Sequence, residues 1–459
     1  MSSSIRPDPA VPSVGFISLG CAKNLVDSQN MAGVLLSEQI RLAPSPEEAD
    51  IILVNTCAFI EDARRESIET IRSACRLKTE GRCKAVLVTG CFPQRYGDKL
   101  QRSLPGVDAF LGLDQLEQVG DVVRRLAEGE HGIVRVSREA HEVFEPRVPG
   151  ISFSGGPHAY LRVADGCNHP CTFCAIPAIR GRHRSRPPAG ILAEAEQLLR
   201  NGICELDLIS QDVTGYGRDL PAPLPLDRLI RRLGKLGSGF WIRILYGYPT
   251  QVTDDLLETM AGTPHVCHYL DVPIQHSHPE ILRSMSRGGT IEPVQTLPDR
   301  ARALMPDVTL RTTCLVGFPG ETDKHFEHLL EHVRRTRYDH LGVFTYSPEE
   351  GTPAASLPGR VESELAAERR DALMLEQQQI VREKAETLVG TQTTVLLEGP
   401  AEENGLRVGR SPRYAPRVDG QVYIKGVPEE TPPGTFIEAR YTEPLDYDMG
   451  AEFLERLKS

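Results

Sequence analysis

Two stretches of this chain alternate short apolar runs with longer amphipathic ones, and that alternation narrows the folds open to it. From Val14 to about Arg135 the apolar runs are Val14–Leu19, Ile51–Asn55, Ala85–Thr89 and Val107–Leu111, with helical stretches such as Asn24–Glu38 and Glu61–Lys78 between them. From about His158 to Arg360 six more runs recur, near Tyr160–Ala164, Glu205–Ser210, Trp241–Tyr246, Cys267–Val272, Thr309–Val316 and His340–Tyr346. Helices are expected between them at Ile191–Asn201, Leu226–Leu236, Thr253–Ala261 and Lys324–Arg337. Strands that alternate with helices pair in parallel and carry the helices on their faces. The first stretch therefore predicts an open parallel α/β sheet. The second predicts a partial (β/α)6 barrel, because six repeats fall short of the eight that close one.

The remainder is punctuated differently. Residues 1–13 are polar and proline-rich and read as a disordered tail. Residues 136–157 carry Pro146, Pro149, Gly150, Gly155 and Gly156 and read as a linker. A long amphipathic helix, Glu362–Leu388, shows Leu365, Leu373, Ile380, Val381 and Leu388 on one stripe. Short strands then follow at Thr393–Leu397, Gln421–Ile424 and Phe436–Tyr441, separated by Gly and Pro, which predicts a small five-stranded β-barrel. The division expected is 14–135, 158–386 and 387–459, all of the α/β class except the last.

Composition excludes some functions. No apolar run is long enough to cross a bilayer, and the amino terminus lacks the apolar segment of a signal peptide, so the expected compartment is the cytoplasm. A net charge of −11 argues against binding nucleic acid over the whole surface and leaves room only for a local contact. Eleven cysteines in a reducing compartment favour metal ligation or catalysis over disulfides.

Three of them, Cys167, Cys171 and Cys174, stand in a C-x3-C-x2-C run on the loop after the first strand of the second stretch. Three thiolates can hold one corner of an iron–sulfur cube but leave one iron open, and an open iron can activate a small molecule. Zinc sites more often draw four ligands as two pairs, and His169 sits inside the loop, badly placed for a fourth. Three more, Cys21, Cys57 and Cys91, each follow a strand of the first sheet, in Leu19-Gly20-Cys21, Asn55-Thr56-Cys57 and Thr89-Gly90-Cys91. The carboxyl ends of neighbouring parallel strands line one crevice, so these thiols can meet as a second three-ligand set; three unrelated core cysteines are the alternative.

The C-x3-C-x2-C run with an aromatic before its last cysteine resembles the radical S-adenosylmethionine (SAM) superfamily. With the three strand-end cysteines and the terminal barrel, which resembles a TRAM domain, nearly the whole chain resembles the methylthiotransferase family. The resemblance implies two four-iron–four-sulfur clusters and SAM as cofactors, the first cluster on Cys167, Cys171 and Cys174 and the second on Cys21, Cys57 and Cys91. It implies that one SAM donates a methyl group to sulfur at the second cluster. A second SAM, cleaved at the first, gives the radical that removes hydrogen from an unactivated carbon, so the two clusters should face one cavity. Gly20–Ser28, the Ile176-Pro177 pair and Leu245-Tyr246-Gly247-Tyr248-Pro249 are similar to the branch that modifies an aspartate of small-subunit ribosomal protein twelve (RimO type).

That branch implies the ribosomal protein as substrate, an electron donor such as flavodoxin or ferredoxin, no membrane, and no stable nucleic-acid partner. The rivals are methylthiolation of a transfer-RNA adenosine and a non-catalytic iron–sulfur carrier. Charge favours the protein substrate, since residues 388–459 hold eight Lys/Arg against twelve Asp/Glu. Gly409–Gly420 departs from this by being locally basic. Glu205 and Gln211, flanking the second barrel strand, are expected SAM contacts, and Gly317–Glu321 ends the fifth strand on the same side. His276 and His278 read as solvated or structurally bonded more readily than as substrate contacts. Cys204, Cys267 and Cys314 read as core, and Cys75 and Cys83 as exposed thiols.

Overall fold

In the computed structural model the residues described are 11–97, 99–137, 143–402 and 405–457. They form two compact units. The first comprises the chain to Phe153 together with Ala164–Asn168 and Ala175–Glu194; the second comprises Ser154–Val163, His169–Cys174 and the chain from Ala195 onward.

The first unit is built on a six-stranded parallel sheet in the order Arg41–Leu42, Ser13–Ser18, Ile51–Thr56, Ala85–Gly90, Ala109–Leu111, Ile133–Arg135. Ile51–Thr56 and Ala85–Gly90 are buried throughout, as β-branched runs covered on both faces must be. Helix Glu61–Glu80 buries Ser67, Ile71 and Ala74, one stripe at helical spacing, and carries Glu61 and Asp62 in its first turn against the helix dipole. The two edge strands were not evident in the sequence, being two and three residues long.

Order begins before the expected end of the tail. Residues 1–10 lie outside the described residues, but Ser13 opens the first strand because its amide and hydroxyl both donate to Asp50 Oδ2, at 3.0 and 2.7 Å. The stretch read as a linker is packed where it is described, apart from 138–142, which lie outside. Phe153 meets Phe16 edge-on, Gln29 Nε2 donates to Ile151 O, and Glu145 accepts two hydrogen bonds from Arg186 at 2.8 Å.

The second unit holds a six-stranded parallel sheet whose strands follow chain order: His158–Arg162, Glu205–Ile209, Trp241–Ile244, Val266–Asp271, Thr309–Val316, His340–Thr345. It is the expected open, partial barrel. Helix Ser363–Leu388 packs on the last strand and buries Ala366, Arg369, Leu373, Gln377 and Ile380. Leu365, placed on that stripe from the sequence, is instead exposed, because Ala366 and Arg369 take the inward positions of the first turns. The chain ends in a closed five-stranded barrel ordered Gln392–Pro400, Leu406–Arg410, Val422–Lys425, Asp448–Arg456, Phe436–Leu445. Two of its strands, Leu406–Arg410 and Asp448–Arg456, escaped the sequence reading because charged residues and glycine interrupt their apolar alternation.

Candidate functional site

In the first sheet the strand order reverses between Ser13–Ser18 and Ile51–Thr56, and ligands bind in the crevice at such a switch point. Cys21 and Cys57 follow these two strands, and Cys91 follows the neighbouring one. Cys21 is exposed, Cys57 half-buried and Cys91 buried, so the group opens to solvent on one side only. Burial pushes the Cys91 thiol up to about 12, and Cys57 and Cys21 add to the rise, which places all three within electrostatic reach of one another. Burial raises Cys57 likewise.

Two glycines make this approach work. A Cβ on Gly90, at φ +97°, would lie 2.3 Å from Asn55 Oδ1 and 2.5 Å from Thr56 O, so only glycine lets the chain turn Cys91 inward. A Cβ on Gly20 would lie 2.9 Å from Cys57 Cβ.

Arg180, 2% exposed, is the cation beside these thiols, and the sequence reading gave it no role. Its Nη2 donates to Asp27 Oδ2 at 2.7 Å and to Asn24 Oδ1 at 2.8 Å, and its Nη1 lies 3.3 Å from Asp165 Oδ2. Cys91 Sγ points to the same Asn24 Oδ1 at 3.7 Å. The guanidinium opposes the effect of burial on both Cys57 and Cys91 by favouring their thiolates. Three thiols with a buried cation suit an anionic, sulfur-ligated group.

The C-x3-C-x2-C loop is fixed by its own contacts. In the first unit Cys167 N donates to Gly181 O and Asn168 Oδ1 accepts from His183 N. In the second unit Cys174 N donates to Cys171 O, and Thr172 is bonded to Ser284, Met285 and Ala354. Phe173 packs with Ile281, Met285, Leu315 and Phe318, which explains the aromatic before the last cysteine. Arg287 Nη1 donates to Cys171 Sγ at 3.5 Å, and its guanidinium lies 4.4 Å over the Tyr248 ring. His169 stacks on Tyr248 with ring centroids 3.4 Å apart and meets Asp212 Oδ2 at 2.7 Å. That engagement keeps it from acting as a fourth ligand. In the second unit the Cys171 and Cys174 thiols, with a donor aimed at one sulfur, suit iron–sulfur ligation.

The two expected SAM contacts part company. Gln211 lies just past the carboxyl end of Glu205–Ile209, and its buried Oε1 has no hydrogen-bond partner among the described residues. Glu205 is corrected: it is the first residue of that strand, at the amino end of the sheet, fully buried. Arg243 Nε lies 2.7 Å from one carboxylate oxygen and Arg410 Nη2 2.6 Å from the other, which holds the carboxyl down at about 2 against the cost of burial. Both carboxylate oxygens face guanidinium nitrogens, and the residue ties the terminal barrel to the sheet.

Glu321 accepts from Gly317 N at 3.0 Å and pairs with Arg369 at 2.8 Å, so it braces the turn after the fifth strand. His276 is buried and neutral, its Nδ1 accepting from His278 N. His278 Nδ1 accepts from Glu280 N as a helix cap. Cys267 and Cys314 are core residues as expected. Cys204 is half-buried with its thiol toward Gly434 O, Cys75 is half-buried, and Cys83 is buried in the first core, donating to Ala85 O, not exposed.

Three family models match the chain. Residues 13–112 match the uncharacterized protein family UPF0004, residues 161–333 the radical SAM superfamily and residues 389–454 the TRAM domain. Among similar proteins, a ribosomal protein uS12 methylthiotransferase RimO of Syntrophus aciditrophicus (strain SB) is 46% identical over 96% of this chain and 98% of its own length. The proteins of the same name from Geobacter sulfurreducens and Synechococcus sp. are 42% and 43% identical, over 96% and 99% of this chain and 98% and 96% of theirs. Among solved structures, the radical SAM methyltransferase TsrM of Kitasatospora setae, with cobalamin and an iron–sulfur cluster bound, aligns with a TM-score of 0.56 at 15% identity, over 87% of this chain and 80% of that one. The cobalamin-dependent enzyme OxsB aligns with a TM-score of 0.52 at 14% identity, over 81% and 56%. These two speak for the fold alone.

Proposed function

The chain belongs to the family of ribosomal protein uS12 methylthiotransferases, and from that premise we propose that it places a methylthio group on the β-carbon of an aspartate of uS12. The near full-length likeness to proteins of that name carries the reading. The strand-end thiols gathered beside a buried cation support it independently. The relatives quoted above carry the ribosomal protein's name, which favours that substrate over a transfer-RNA adenosine.

When bound, two four-iron–four-sulfur clusters and SAM supply a 5′-deoxyadenosyl radical and a methyl group carried on sulfur. Cys167, Cys171 and Cys174 are proposed to hold the SAM-cleaving cluster, and Cys21, Cys57 and Cys91 the sulfur-handling one. A saturated carbon offers no acidic proton, so the side chains around these thiols have no acid–base task. Their work is to bind, to fix orientation and to exclude water. Arg180 sets a buried positive charge that favours the Cys57 and Cys91 thiolates, and Asp27 and Asp165 hold its guanidinium there. Arg287 donates toward a ligand sulfur and, through Tyr248, stiffens the loop together with His169. Gln211 offers an unpartnered carbonyl at the carboxyl end of the sheet, where a SAM amino group can donate to it.

A small reduced electron carrier such as flavodoxin or ferredoxin is the proposed electron donor, and the cytoplasm the proposed compartment. Among the described residues no helix is long and apolar enough to cross a membrane. The test is the product. Under anaerobic conditions with reductant and SAM, uS12 should gain the mass of one methylthio group in place of hydrogen, at an aspartate. A gain on transfer RNA alone would overturn the reading.

A further inference from the structure

At the amino end of the second sheet, where Thr309 and His340 begin their strands, a cleft of about 370 Å³ opens between the sheet, the long helix and the terminal barrel. Its volume lies in the range of small-ligand sites, about 300–1,000 Å³. Arg302, Arg335, Arg337, Lys384 and Arg413 line it, against Asp307 and Asp339. This concentrates positive charge in a chain whose net charge is −11. Arg413 comes from the basic stretch Gly409–Gly420, which the reading of the terminal barrel as an acidic surface left without a purpose.

The local acids do not neutralise the cleft. Asp339 serves both Lys384, at 2.6 Å, and Arg413, at 3.7 Å, while Arg337 pairs with Glu383 and Asp307 with His268. Arg302 donates to the carbonyls of Thr336 and Arg337, and among the described residues Arg335 reaches the His332 ring and no carboxylate. Burial together with Arg302 and Arg413 depresses Lys384. A second observation is independent of charge. Thr309 is 1% exposed, lines the cleft, and its hydroxyl has no hydrogen-bond partner among the described residues. An unmatched buried hydroxyl among crowded cations fits a ligand that is anionic and accepts hydrogen bonds.

We propose that this cleft binds a phosphodiester of RNA, so that the enzyme grips ribosomal RNA at one end of the sheet while it modifies a ribosomal protein at the other. The inference rests on the uS12 reading. It requires only a local RNA contact, as the acidic surface elsewhere demands.

Binding of a fluorescently labelled short single-stranded RNA oligonucleotide to the full-length holoenzyme, followed by anisotropy at several salt concentrations, tests it. Arg335→Gln alters an exposed side chain with no carboxylate partner among the described residues, and Lys384→Gln removes the half-buried cation. Together they should weaken RNA binding at least tenfold and lower the salt slope by about 1 per cation removed, while free uS12 is thiolated at the wild-type rate. Thr309→Val should also weaken binding; a hydroxyl serving only the core would leave binding unmoved and contradict the assignment. Equal RNA affinity in wild type and variants, or binding of inorganic phosphate without RNA, would overturn the proposal. Loss of uS12 thiolation by the wild-type enzyme would instead defeat the function reading, and the two failures are read in separate assays.

Discussion

Arg180→Met should destabilise the first unit markedly. Arg180 and Asp27 are 2% and 1% exposed and 2.7 Å apart, and Asp165 shares the guanidinium at 3.3 Å. Methionine fills much of the volume but removes the guanidinium that Asp27 and Asp165 share. Truncating one partner of a buried pair costs about 3–5 kcal/mol, and the lost hydrogen bond to Asn24 adds about 0.5–1.5 kcal/mol. For a unit of this size the first figure alone lowers the melting temperature by roughly 6–20 °C, at about 2–4 °C per kcal/mol. The assay is calorimetry of the apo-protein, with Asp27→Asn, alone and combined, completing a double-mutant cycle. Asp27→Asn alone should destabilise; in the Arg180→Met background it should cost much less, because the Arg180–Asp27 contact is already gone. A cost below about 1 kcal/mol for Arg180→Met, or strictly additive costs, would refute the claim that this pair is the organising contact of the thiol site.

Glu205→Gln should destabilise the second unit by about 3–5 kcal/mol, since Arg243 and Arg410 lose their shared carboxylate, yet leave SAM affinity of the folded holoenzyme intact; abolished SAM binding in a folded variant would restore Glu205 to the cofactor site. Arg287→Met removes a donor to Cys171 Sγ and should lower the reduction potential of the cluster on that loop, measured by redox titration with electron paramagnetic resonance; an unchanged or raised potential would contradict this. Burial holds His332 down to about 4 from 6.5, so the unfolded chain takes the proton first and stability is lost as pH falls from 6.5 toward 4. The loss at pH 5 should be about 2 kcal/mol, visible as a steeper acid limb of urea unfolding that His332→Gln flattens; an unaltered limb would count against it.

The parallel sheets were legible because their strands are apolar runs such as Ile51–Thr56, bounded by turns, whose burial leaves little freedom of period. The terminal barrel was legible in outline, but Leu406–Arg410 carries a half-buried Arg407 and a buried Arg410 that no alternation rule anticipates. The strand-end thiols stood out because topology, not sequence distance, decides which residues meet. Glu205 misled for a related reason. As the first residue of a parallel strand it stands at the amino end of the sheet, away from the ligand end, and Arg410, the counter-ion that fixes it there, lies 205 residues further along the chain. Arg180 was unreadable because its importance comes from Asn24, Asp27 and Asp165, contributed by separate segments of the chain.

The central claim is that two separate sets of three cysteines divide the labour. The most direct test replaces Cys21, Cys57 and Cys91 together by alanine and measures, in one anaerobic reaction, 5′-deoxyadenosine released and methylthio groups added to uS12. The variant should keep about half the iron, still release 5′-deoxyadenosine, and add no sulfur. Full thiolation by that variant, or loss of SAM cleavage together with thiolation in a folded protein, would contradict the account.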